Sequence, residues 1–95
     1  MQLKYLREIT GLFSYPRVGT EETWTIAEYK GRYAFIWNLS ADEVTGQNHS
    51  CGNTGEKWFD SRPEAELAFL DRLEQNAYYY PTEDLELVLL SQLRA

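Results

Sequence analysis

Between Thr23 and Leu39 two alternating stretches flank Lys30-Gly31, and no other segment constrains the fold as tightly. With a two-residue loop at Lys30-Gly31, Trp24 faces Trp37, Ile26 faces Phe35 and Glu28 faces Tyr33, all on one side. The other side holds Thr23 with Asn38, Thr25 with Ile36 and Ala27 with Ala34, a smaller and more polar set. A slip of one residue would scatter the large rings over both faces, so the pattern selects its own register. The aromatic side predicts a core face.

The rest of the chain supplies partners for that face. Ser61-Arg62-Pro63-Glu64 has the form of a capping box with proline in the first turn. From it a helix is expected to run to about Asn76 or Tyr79, with Ala65, Phe69, Leu70, Leu73 and Ala77 along one side and Glu66, Asp71, Glu74 and Gln75 largely turned away. Pro81 is expected to stop it, and Thr82 to cap a second helix with an apolar stripe of Leu85, Val88, Leu89 and Leu93. Leu87 and Leu90 fall off that stripe. Lys57-Trp58-Phe59-Asp60 reads as a short third strand, and the polar, glycine-containing stretch from Ser40 to Glu56 as a long loop. Leu3, Leu6, Ile9 and Phe13 fit helical spacing, and a short N-terminal helix is favoured over an edge strand. The expected fold is α+β: a small antiparallel sheet of about three strands around the hairpin 23–39, with two C-terminal helices packed on its aromatic face. At 95 residues this is one domain with one core, spanning 1–95.

Charge narrows the function classes. The formal net charge is −6. Residues 1–55 carry six acids against five bases, and residues 56–95 carry nine against four, so the negative field belongs to the second half. An acidic surface repels phosphate backbones and anionic membranes and speeds encounter with basic surfaces. Direct nucleic-acid and membrane binding are therefore disfavoured. The single cysteine, Cys51, excludes an internal disulfide; without a basic-apolar leader or a long apolar run, a cytoplasmic location is expected. Asn38-Leu39-Ser40 and Asn48-His49-Ser50 match the glycosylation tripeptide and are read as chance matches.

The chemistry-bearing constellations are sparse. His49 and Cys51 stand two apart near Asp42 and Glu43, which raises a metal site or a thiol nucleophile with a histidine base. A zinc site wants four ligands with paired spacing, and a phosphate-cradling loop wants a lysine and a strand-to-helix setting; neither pattern is present. The adjacent carboxylates Glu21-Glu22, Asp42-Glu43 and Glu83-Asp84 point to different sides and make no catalytic pair. No cofactor is expected.

Aromatic residues make up 15% of the chain, and Tyr78-Tyr79-Tyr80 at a helix end cannot all turn inward. Together with Glu66, Asp71, Glu74, Glu83, Asp84 and Glu86 on the outer helix faces, these tyrosines form the candidate partner-binding surface. The leading expectation is a non-enzymatic acidic inhibitor that occludes a basic, nucleic-acid-binding surface of a partner protein. Toxin-neutralising immunity proteins and virus-encoded inhibitors such as anti-CRISPRs share this size and charge, and nothing beyond them. Two other readings are a small enzyme or metal protein using His49 and Cys51, and an accessory subunit docking through Leu87 and Leu90.

Overall fold

The structure is a computed structural model that describes residues 2–13, 20–74 and 79–81. Strands β1 (Lys4–Phe13), β2 (Thr20–Tyr29), β3 (Arg32–Trp37), β4 (His49–Cys51), β5 (Thr54–Phe59) and β6 (Tyr79–Pro81) accompany one helix, α1 (Arg62–Glu74). Five of the strands form an antiparallel sheet in the order β4-β5-β3-β2-β1, and the three-residue β6 adds a sixth at the β1 edge. The fold is α+β, with a larger sheet than the three or so strands expected. Among the described residues there is one α-helix rather than two; the second, expected from Thr82, lies outside them.

The hairpin forms in the register that the sequence selects. Trp24 pairs with Trp37, Ile26 with Phe35, Ala27 with Ala34 and Glu28 with Tyr33. Lys30 (φ 49°) and Gly31 (φ 76°) both adopt the left-handed conformation that a two-residue hairpin turn requires. Asn38, at φ 58°, ends β3: its Oδ1 accepts from Thr23 N at 2.8 Å and its Nδ2 donates to Asn53 O at 2.6 Å. Asparagine tolerates that backbone better than other residues with a Cβ.

The N-terminal helix expectation is corrected to a ten-residue strand paired along β2. A bulge explains the misleading spacing. The register shifts between Tyr5 and Arg7, which lets Leu6 and Ile9 both reach the same core although they are an odd number of positions apart. The third strand is also longer than expected, beginning at Thr54, because Gly52-Asn53 turns the chain between β4 and β5. The expected loop 40–56 therefore contains a strand, and it contains a short 3₁₀ turn at Ala41–Glu43 as well. Helix α1 is described from Arg62 to Glu74, its expected end near Asn76 lies outside the described residues, and Tyr79 to Pro81 pair with Phe13, Leu12 and Gly11. Consecutive aromatic residues suit a pleated strand, and proline is admissible on an edge.

Two cores lie on opposite faces of the sheet. On one, Ile9, Trp24, Ile26 and Phe35 pack against Ala65, Phe69 and Leu70 of α1. Trp24 meets Phe35 and Phe69 edge-on, with centroids 6.1 Å and 5.6 Å away. This is the aromatic side, covered by a helix as expected. Behind it, Ala27, Ala34, Ile36 and Trp58 are covered by Val44, with Leu39 packed alongside, from the segment between β3 and β4. Gly55 is buried where the indole of Trp37 crosses β5; a Cβ there would stand 2.6 Å from Trp37 Cε2. Only glycine permits that approach.

Candidate functional site

Among the described residues three glutamates are buried: Glu22, Glu56 and Glu66. Two of them begin a Glu-x-Trp triplet on a strand, where residues two apart share a face. Trp24 Nε1 donates to Glu22 Oε1 at 2.8 Å, and Trp58 Nε1 donates to Glu56 Oε1 at 2.7 Å. The first triplet faces α1 and the second faces the opposite core, so the same device serves both sides of the sheet.

Glu56 is the most heavily bonded side chain among those described. Thr45 N and Gly46 N donate to it at 2.9 Å and 2.8 Å, and His49 Nε2 lies 2.8 Å from Oε2. An ionised carboxylate only accepts, so His49 Nε2 carries the proton here. Burial pushes the Glu56 carboxyl upward, but the hydrogen bonds from Trp58, Thr45, Gly46 and His49 outweigh it and hold the carboxyl below its ordinary range. Through these bonds Glu56 fixes the segment that lays Val44 on the second core. Asn48 Oδ1 accepts from Trp58 N at 2.6 Å, which occupies the backbone edge of β5 beyond the end of β4. Ser40 N and Oγ both donate to Glu43 Oε1, a capping arrangement that pulls the Glu43 carboxyl below its ordinary value. Both glycosylation-like asparagines, Asn38 and Asn48, thus have their side chains engaged in the fold.

His49 and Cys51 lie on the exposed edge strand β4. Among the described residues no group of three or more His, Cys, Asp or Glu is placed to hold a metal ion. His49 Nε2 contacts the buried Glu56, the carboxylate that also holds the amides of Thr45 and Gly46.

On the opposite face, Glu66 departs from its expected outward position. It is 6% exposed, and its Oε1 accepts from Arg7 Nε at 2.8 Å and Arg62 Nε at 2.9 Å. Apolar periodicity alone predicts Glu66 outside; the two arginines that neutralise it come from a bulged strand and from the preceding helical turn. Arg72 also turns inward, stacking over Trp24 and Trp37 and lying 3.9 Å from Glu22. With Arg62 and Arg72 so engaged, the outward arc of α1 presents Glu64, Leu67, Asp71 and Glu74, all exposed. The structure thus brings Asp71 and Glu74 onto one surface. Tyr79 and Tyr80 are strand residues of β6 rather than a helix end. Tyr78, Glu83, Asp84, Glu86, Leu87 and Leu90 lie outside the described residues.

Beside Asp71, a shallow cleft is lined by Trp37, Lys57, Ala68 and Arg72. Among the described residues no helix is long and apolar enough to cross a membrane. Comparison with protein-family models, with curated proteins and with solved structures finds no match.

Proposed function

We propose that this chain is a non-enzymatic, acidic protein-binding domain that occludes a basic, nucleic-acid-binding surface of a partner protein, in the manner of an immunity-type or anti-CRISPR-type inhibitor. The observation that carries this reading is the sorting of charge on α1. Its two arginines reach the buried acids Glu66 and Glu22, while Asp71 and Glu64, the latter also capping Ser61, are exposed on its outward arc. Such a surface steers towards lysine and arginine and away from phosphate. Occlusion requires nothing more: the carboxylates take the place that phosphates otherwise fill, and apolar contacts slow release.

The test is the salt dependence of a captured complex. The full chain is used to isolate a partner from its native host, and the purified pair is titrated at low and high ionic strength with nucleic acid as competitor. The reading expects affinity to fall steeply with salt, and the partner's nucleic acid to be displaced. An affinity indifferent to salt would sink it.

A further inference from the structure

The helix surface that carries the acidic arc also holds an apolar recess. Leu67 is 59% exposed, and it stands one helical turn from both Glu64 and Asp71. On its flank Pro63, Glu66, Leu67 and Leu70 line a groove of about 220 Å³. The carboxylate of Glu66 in that lining is already held by Arg7 and Arg62, so the groove offers hydrocarbon and a compensated ion pair. Past Leu67 the helix surface is different, since Glu64 and Asp71, outside the groove lining, are exposed and no base stands between them in the sequence.

We propose that this groove receives one aliphatic side chain from a lysine- and arginine-rich helical segment of a protein partner, whose cations face Glu64 and Asp71. The inference rests on the acidic-binding reading above and adds to it an anchor and a location. Charge selects the occupant: a neutral apolar segment would desolvate the rim carboxylates without compensation, and an acidic segment or a nucleic acid would be repelled. Spacing selects its conformation, because Glu64, Leu67 and Asp71 follow the three-and-four step that a facing helix matches. The leucine supplies what carboxylates alone lack, a contact that water opposes breaking.

The test uses the full chain and two synthetic peptides. One is a lysine-rich amphipathic helix bearing a single leucine on its apolar side, and its twin carries serine there. Calorimetric titration is expected to show the leucine peptide binding about tenfold more tightly than the twin, the scale of burying one aliphatic side chain. Leu67→Ser should erase that difference, while Glu64→Gln with Asp71→Asn should weaken both peptides. Glutamine at position 64 retains the capping geometry. If the two peptides bind equally, and with equal salt sensitivity, the groove is overturned while the electrostatic reading stands. If neither peptide binds at low salt, the groove and the acidic surface fall together. The comparison between peptides on the unaltered chain does not depend on any variant folding.

Discussion

The two faces of this sheet are sealed by different physics. On one, a helix lays Ala65, Phe69 and Leu70 onto Ile9, Trp24, Ile26 and Phe35, and the seal is hydrocarbon. On the other, the segment between β3 and β4 contributes Val44 and the flanking Leu39, and is held down by the bonds that converge on Glu56. Each face carries a Glu-x-Trp pair, yet only the Glu56 pair also gathers backbone amides. A helix satisfies its own backbone, so its cover can rely on apolar area; an irregular cover must have its amides satisfied from elsewhere. A buried carboxylate does that for the second face.

The contrast breaks most directly at Phe69. Phe69→Ala removes a fully buried ring that contacts Trp24 and Phe35, and should lower stability by about 3–5 kcal/mol. Val44→Ala on the other face removes less hydrocarbon and should cost distinctly less. Denaturant titrations of the two variants decide the matter. Equal losses would mean that both faces depend on hydrocarbon to the same degree.

At Glu56 the comparison sharpens. Glu56→Gln keeps the shape but turns an amide donor towards groups that themselves donate, and should destabilise by about 2–4 kcal/mol through unmet buried hydrogen bonds. Hydrogen exchange should show the amides of Thr45 and Gly46 losing protection while α1 retains it. Uniform loss across both covers would show that the two faces are one cooperative unit.

Acid should reproduce part of that effect. The folded-state pKa of Glu56 lies below its ordinary value of 4.5, so its stabilising contribution is fully present above that pH. It is lost progressively as pH falls from there through the depressed folded value. A stability profile in this window should slope downward towards acid in the unaltered chain and flatten in Glu56→Gln. A slope that persists in the variant would assign the acid response to other carboxylates.

The same contrast explains what could be read from the sequence. The hairpin was legible because large rings at period two leave only one workable register, and α1 was legible because Ser61 and Glu64 announce it. The second core was hidden: Val44 sits alone in a polar stretch, and a cover anchored by hydrogen bonds has no hydrophobic period to detect. The bulge at Tyr5–Arg7 disguised β1 as helical spacing. On the surface, Asp71 and Glu74 could be placed outward, whereas Glu66 could not be placed inward without knowing that Arg7 of a distant strand would meet it. The Glu-x-Trp triplets were visible at positions 22–24 and 56–58, and they were the available signal that these glutamates are interior. Along the chain the charge makes an acidic second half, but burial divides it between interior pairs and the outer arc.

His49 provides the smallest and most discriminating perturbation. Its side chain is about 39% exposed, and its contribution to the second face is one hydrogen bond to a carboxylate that has other donors. His49→Ala should therefore cost only about 0.5–1.5 kcal/mol, and the loss should appear as faster exchange at Thr45 and Gly46 rather than as a change in the helix-covered core. A much larger loss would make the histidine, instead of the backbone amides, the principal anchor of this cover. A negligible loss would place the anchoring wholly on the amides and the Trp58 indole, where an irregular segment most needs a buried acceptor.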